Sequence, residues 1–386
     1  MEPSDFVHPL RGELIPLEDG WAYLPHPLPP QVALAWDLVR QLDEATAELG
    51  QLVGQARQHQ NTALFTQPLL FQEAGDSNRI EGIQTRAAGV LLQEVGLGYD
   101  VEFQRDNNTE VLRYLAALED GQRWLNEGRP ISSFLVRALH KTLLEGARGV
   151  DKHPGEFRRK TVWIGMKGDT PKSARFVPPP WEHVEPAVDS LFAFVEGAPP
   201  FPPLITAAML HYQFEAIHPF EDGNGRLGRL LLPLYLMEQK VLDRPLLVLS
   251  PFFEANRHTY IELLNRVSTH GDWPAWLAFF LLGVREQARA ARDLIGRVES
   301  LQNRYRALVS EHVRSRGAQV ALDVVMQKVI VSPRDVADSA NISINTARAV
   351  LDGMKSVGII SLVPGSRSLR WWAKELIDTV YERPEL

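Results

Sequence analysis

The 386-residue sequence contains no cysteine. That excludes disulfide scaffolds, thiol nucleophiles, iron–sulfur clusters and zinc sites built on thiolates. Long apolar runs are also missing: the longest, Pro274 to Val284, falls well short of the roughly 20 residues that span a bilayer. Positive charge is in deficit, with 41 Lys and Arg against 48 Asp and Glu and a formal net charge of −7. A protein built chiefly for non-specific nucleic-acid binding carries the opposite imbalance. The opening residues, MEPSDFVHPL, have no basic stretch followed by an apolar one, so no secretory signal is expected. No internal repeat or long block of like charge is visible. A soluble, cytoplasmic chain with no membrane partner is the expectation.

What is present reads as globular and mainly helical. The 45% hydrophobic and 23% charged composition is ordinary, and the length suggests two or three domains. Apolar residues recur at three- and four-residue steps from Pro30 to Gln60, and further helical runs cover Thr62 to Ala74 and Asn107 to Leu125. From Gly155 to Pro180, two β-type runs flank a polar GDTPKS turn, which predicts a hairpin. After about Gly317, helices are expected at Gln319 to Gln327, Pro333 to Ala340 and Asn345 to Val357, the last with Ser343 or Asn345 as its cap. Two β runs follow over Ile359 to Ala373, around a Pro-Gly turn.

The segment from Ile217 to Arg229, IHPFEDGNGRLGR, carries the chemistry. Pro219 must end the helix before it, and a strongly apolar helix follows. The Asp-Gly-Asn-Gly turn places backbone amides near Gly223 to Gly225 at that second helix's start, which favours an anion. Arg226 and Arg229, three apart, share a face and suit a polyphosphate. Asp222 is an oxygen ligand of the kind Mg2+ takes alongside substrate phosphates. His218 is a candidate base for a hydroxyl attacking phosphorus. Either a lone histidine or a DGNG turn is ordinary by itself; their union within twelve residues points to metal-assisted nucleotidyl or phosphoryl transfer.

His218 to Arg229, HPFEDGNGRLGR, resembles the complete HPFx(D/E)GNGRxxR motif of the Fic family (filamentation induced by cAMP). GEFR with VWIG, HYQFEAIHPF, LSPFFEANRHTYIELL and GDWPAWLAFFL are similar to Fic domains as well. The resemblance implies transfer of AMP from ATP, with Mg2+, to a hydroxyl of a protein target or of the chain itself. It assigns deprotonation of the hydroxyl to His218 and the metal to Asp222. Asn224 would position the α-phosphate, with Gly223 and Gly225 helping to form the anion hole. Arg226 would contact the phosphate tail, Arg229 the γ-phosphate, and Asn256 the neighbourhood of the adenine. A Doc-like branch that transfers phosphate typically has a basic residue in place of the second motif glycine; Gly225 is retained, which favours AMP transfer.

Ser77-Asn78-Arg79-Ile80-Glu81-Gly82 fits the family's inhibitory pattern (S/T)xxxE(G/N). The resemblance implies that Ser77, Glu81 and Gly82 lie on an inhibitory helix over about residues 62–85, with Glu81 pairing with Arg229. Glu81 would then also be placed to help remove AMP. The hairpin matches the family's target-docking flap, with Thr161, Val162, Trp163, Ile164 and Gly165 on its edge. The C-terminal pattern resembles a winged helix-turn-helix. Six basic residues against three acidic ones from Ser332 to Lys374 leave DNA and protein equally open as its partner, and a homodimer stays open too.

The expected fold is therefore a mainly α Fic-type helical bundle with a β-hairpin flap and a C-terminal winged helix. Its regions are an N-terminal helical part (1–104), a catalytic domain (105–285), a helical linker (286–317) and the winged helix (318–386). The rival readings are a DNA-binding transcriptional regulator with a vestigial Fic domain, and the same chemistry with another donor such as UTP.

Overall fold

The computed structural model describes residues 1–7, 12–59, 61–84, 90–91, 93, 102–146, 151–166, 168–197, 199–364 and 369–380. Among them are fourteen α-helices and two small antiparallel sheets. A hairpin of β1 (Gly12–Pro16) and β2 (Trp21–Pro25) precedes α1 (Trp36–Arg57) and α2 (Ala63–Ile80). Next come α3 (Glu102–Asn126) and α4 (Ser133–Leu144), and, after a long irregular segment, α5 (Val184–Glu196), α6 (Pro203–Ile217) and α7 (Asn224–Glu238). The short α8 (Ser250–Ala255) and α9 (Arg257–His270) lead into α10 (Trp273–His312), which is 40 residues long. The C-terminal region is α11 (Ala318–Lys328), β3 (Ile330–Val331), α12 (Pro333–Ala340), α13 (Ile344–Ser356), β4 (Ser361–Leu362), β5 (Trp371–Trp372) and α14 (Lys374–Val380).

α6 and α7 sit at the centre because their sequences are apolar on every side. Thirteen of the fifteen α6 side chains and twelve of the fifteen in α7 are buried. α10 locks onto α6 through the indole of Trp276, which donates to the Ala208 carbonyl at 3.0 Å. Phe253, Tyr260 and Phe280 surround that indole, with ring centroids 5.9–6.4 Å away. α1 lies along α10, and the two are laced by Glu44–Arg285 at 2.6 Å, Glu48–Arg289 at 2.7 Å and Glu48–Arg292 at 2.9 Å.

Several boundaries differ from the sequence expectation. α1 starts at Trp36 rather than Pro30, after a proline-rich approach. α2 continues past Ala74 to Ile80 despite Pro68, so Ser77 lies on it and Glu81 is its C-cap. The expected hairpin from Phe157 to Phe176 reduces to one antiparallel bridge, Ile164 with Phe176. Its first arm does not pair because its backbone bonds go elsewhere: the Arg158 N–H donates to the Pro219 carbonyl at 2.9 Å. The β1–β2 hairpin was not anticipated, although Asp19-Gly20 between two strand-like runs is a hairpin signal. It braces the flap: the Tyr23 N–H donates to the Val177 carbonyl at 2.9 Å, and the Tyr23 ring meets Phe176 edge-on.

Of the expected helical linker, 286–317, residues 286–312 are the second half of α10, with Leu294, Ile295, Val298, Leu301 and Tyr305 buried along one face. The C-terminal helices fall within a residue of expectation, and Ser343 caps α13 by accepting from the Thr346 N–H at 3.1 Å. β3, β5 and β4 form a three-stranded antiparallel sheet in that order. Gln72 of α2 donates to the Val380 carbonyl at the end of α14 at 3.2 Å. Thr85, Lys167 and Arg367, which belong to the expected inhibitory segment, flap turn and wing, lie outside the described residues. No helix among the described residues is long and apolar enough to cross a membrane.

Trp276→Ala should destabilise the chain by about 3–5 kcal/mol, since it empties a fully buried aromatic site. Urea unfolding followed by circular dichroism measures this. A loss under 1 kcal/mol would mean that α10 does not hold the centre as described.

Candidate active site

The loop between α6 and α7 is held in a shape its backbone would not adopt unaided. His218 caps α6 with φ 49° and ψ 62°, a left-handed conformation uncommon for a residue with a side chain. Gly223, at φ 77°, opens α7. Asn224 closes the turn between them: its Oδ1 accepts from the Phe220 N–H and its Nδ2 donates to the Phe220 carbonyl, both at 2.9 Å. The buried Phe220 ring lies flat on His140, with centroids 3.8 Å apart, and tilts against Phe157. His140 bridges two segments, since its Nδ1 accepts from the Gly155 N–H at 2.8 Å and its Nε2 lies 3.0 Å from the Asp222 carbonyl. These partners require a neutral ring protonated at Nε2, and burial pushes its pKa down to about 4.

Arg229 is the electrostatic centre. Its side chain is 1% exposed, yet it carries a full charge. Nε donates to Ser77 Oγ at 2.9 Å, while Nη2 donates to the Ser77 carbonyl at 2.9 Å and to Glu81 Oε1 at 2.7 Å. Burial opposes the guanidinium charge most strongly, but Glu81, Tyr260 and Glu215 together outweigh it and raise the pKa. Burial likewise pushes the Glu81 carboxyl up; Arg229, with smaller help from Arg226 and His218, more than offsets this, and the net shift is downward. Gly225 makes the contact possible, because a Cβ there would lie 2.3 Å from Glu81 Oε1. Gly82, at φ +81°, ends the chain's run along α2 directly after Glu81.

A cleft of about 400 Å3 opens here, lined by His218, Gly225, Arg229, Glu81, Glu215 and Tyr260, among others. Trp163, Ile164 and Gly165 of the flap form part of its wall. Burial, and then the nearby Arg158 charge, lower the His218 pKa to about 4, so the imidazole is neutral and can accept a proton. Burial raises Glu215 to about 7, against the pull of Arg229.

Other expected residues take different places. The Asn224 carboxamide is committed to the loop's own backbone. Arg226 is buried, ion-paired with Glu110 of α3, and only 3.6 Å from Asp222 Oδ1. Asn256 joins α8 to α9, its Nδ2 donating to the Phe252 carbonyl at 2.9 Å, and it does not line the cleft. Thr161 and Val162 are half-buried on the flap and also lie off the cleft lining. Asp222 accepts from the Gly223 N–H at 2.6 Å while its side chain stays 45% exposed. Among the described residues no cluster of three or more metal-ligating side chains occurs. An exposed single carboxylate suits Mg2+ that completes its shell with substrate oxygens and water, so the residues present fit that ion and not a fully protein-caged one.

Sequence reasoning missed Arg158, Lys160, His140, Glu110 and Glu215. Lys160 pairs with Glu221 of the loop at 2.6 Å. The GEFRRK run was noticed, but nothing in its spacing marks one of its basic residues as buried.

The Fic/DOC family model matches residues 130–236, and the model of the Fic/DOC N-terminal region matches residues 39–123. The chain is 35% identical over 175 residues to a protein adenylyltransferase Fic of Aedes aegypti, covering 45% of this chain and 32% of that protein. It is 35% identical over 217 residues to one of Nematostella vectensis, covering 54% and 45%. The chain thus spans less than half the length of these curated relatives. A Fic family protein from Desulfovibrio desulfuricans shares the fold over 90% of this chain and 98% of its own, with a TM-score of 0.57 at 20% identity. Fic-1 of Caenorhabditis elegans matches 67% of this chain and 74% of its own, with a TM-score of 0.52 at 21% identity. Over residues 39–123 and 130–236, this chain belongs to the Fic/DOC family.

Proposed function

We propose that the chain transfers AMP from ATP to a Ser, Thr or Tyr hydroxyl of a protein target, and to itself, and that Glu81 holds it inhibited. The observation that carries this reading is a buried guanidinium bound to a carboxylate over Gly225, in the same cleft as a neutral histidine. The similar proteins named for protein adenylyl transfer support the donor and the acceptor class.

In the reaction, the target hydroxyl oxygen bonds to the α-phosphorus of ATP and its proton passes to His218. The bond from the α-phosphorus to the α,β-bridging oxygen breaks, and pyrophosphate leaves. Amides at the α7 N-terminus face the charge that develops on the phosphoryl oxygens. Arg229 would take the γ-phosphate once Glu81 withdraws; with Glu81 in place the phosphate tail is displaced and attack is misaligned. Asp222 would hold Mg2+, which neutralises phosphate charge when bound. Glu81 lies at the cleft, where a carboxylate can also orient a water for removal of AMP. The flap edge beside the cleft would dock an extended target segment. A DNA-binding regulator with a vestigial catalytic domain is disfavoured by the intact His218, Asp222, Gly225 and Arg229. The C-terminal region, read as a winged helix, would dock DNA or protein through the exposed residues Ile344, Asn345 and Arg348 of α13. A cytoplasmic setting fits this reading.

Glu81→Gly should raise incorporation of labelled AMP by about tenfold or more, equivalent to ~1.4 kcal/mol of barrier. Equal labelling of wild type and variant would refute the inhibitory role. Incubation with ATP and Mg2+ should add the mass of AMP to a hydroxyl side chain in the Glu81→Gly protein and not in the Glu81→Gly, His218→Ala protein; intact-mass spectrometry decides. Because His218 titrates near 4, the transfer rate should hold steady from pH 7.5 down to about 5.5. An ordinary histidine base would lose activity through about pH 6.5, and a rate profile with that midpoint would contradict the low value.

A further inference from the structure

Arg158 is the most heavily engaged side chain beside the reaction loop, and nothing in its spacing announced it. The residue is 2% exposed. Its Nε donates to the His218 carbonyl at 2.8 Å, its Nη1 to the Lys160 carbonyl at 3.1 Å, and its Nη2 to the carbonyls of Pro179 at 2.5 Å and Ile217 at 3.3 Å. Its own N–H donates to the Pro219 carbonyl. One residue therefore grips three consecutive backbone positions around His218, and also reaches both sides of the flap, before Thr161 and after Phe176. No carboxylate forms an ion pair with it among the described residues. Its hydrogen-bond acceptors are the carbonyls closing α6, where a helix dipole favours a cation, and the nearby Glu182 charge also favours it. Burial lowers its pKa to about 10, which leaves it charged at neutral pH.

We propose that Arg158 is a positioning residue for the transfer reaction, clamping the His218 backbone to the two sides of the flap. The orientation of the base and the placement of the target hydroxyl are then set by one side chain. Lys160–Glu221, at 2.6 Å, is a second strap in parallel. The left-handed geometry of His218 gives the clamp its purpose: the α6 end needs its carbonyls satisfied exactly where the chain turns toward the cleft. Arg158 also places positive charge near the imidazole. The other charged groups around His218 are Glu81 at the end of α2, Glu215 on α6 and Arg229 on α7, so the contribution of Arg158 must be read against theirs.

This proposal rests on the adenylyl-transfer reading, and the test separates the two. In the full-length Glu81→Gly chain, Arg158→Lys keeps the charge and loses the planar fork, whereas Arg158→Met loses both. Arg158→Lys should lower kcat about 100-fold, the scale of an ångström-sized misplacement, and raise KM for the target while leaving KM for ATP within about threefold. The His218 titration, followed by NMR of the imidazole and by the acid limb of the rate profile, should stay in place in the Lys variant and move upward in the Met variant. Thermal unfolding of each variant shows that loss of rate is not loss of fold, and the Lys variant carries the test if the Met variant does not fold. An Arg158→Lys protein with kcat within threefold of its parent, or a His218 titration that moves equally in both variants, overturns the proposal alone. A Glu81→Gly parent that transfers no AMP overturns the adenylyl-transfer reading, and this proposal with it.

Discussion

The structure turns on one buried positive charge. Arg229 sits almost wholly out of water, and a guanidinium there must find acceptors or destabilise the fold by several kcal/mol. α2 is shaped to supply them. Glu73, Ser77 and Glu81 recur every four residues and so share one face of that helix. Ser77 and Glu81 take the guanidinium. Glu73, buried and with its pKa raised by burial, accepts from the Ser250 N–H at 2.9 Å and from the Tyr114 hydroxyl at 3.0 Å, which pins α2 to α8 and α3. The uneven burial of the Arg229–Glu81 pair matters: the arginine is sealed in, while the glutamate is 41% exposed and can leave into water. On the proposed reading, a phosphate arriving as the glutamate departs would exchange one anion for another, and the guanidinium would not be left without a partner.

How much of this could be read from the sequence depended on whether the relevant residues were local. His218, Gly225 and Arg229 announced themselves because a single turn must carry the anion site, and a turn is short. Glu81 could be placed only because Ser77 to Gly82 resembles the family's inhibitory pattern; its spacing alone does not tie it to Arg229. Arg158 could not, since a basic residue in a charged run looks solvent-facing until the carbonyls that surround it are assembled from residues 160, 179, 217 and 218. Asn224 and Arg226 were legible as residues of the motif but not in their actual contacts. One closes the turn through the backbone of Phe220, and the other pairs with a glutamate more than a hundred positions earlier.

The secondary structure shows the same division. The C-terminal helices were placed within a residue because their signals are local, as with Ser343, expected as a cap and found as one. The flap was over-read as a hairpin: its β-type residues are real, but strand pairing is a contest between partners, and the loop between α6 and α7 wins the backbone of Arg158. The segment expected as a helical linker, 286–317, is helical through His312 and continues unbroken from Trp273; a helix with one polar face looks the same whether it links two bodies or packs between them.

That continuity has a mechanical meaning. Forty residues of unbroken α-helix extend about 60 Å, with α1 laid against one stretch and α11 and α14 against another. A strut braced in this way has no joint at which slack can collect. The C-terminal region packs along α10, and α14 meets the flank of α2 through Gln72 and Val380. The C-terminal region therefore lies against the helix that ends in Glu81, through α10, α11 and α14 alike.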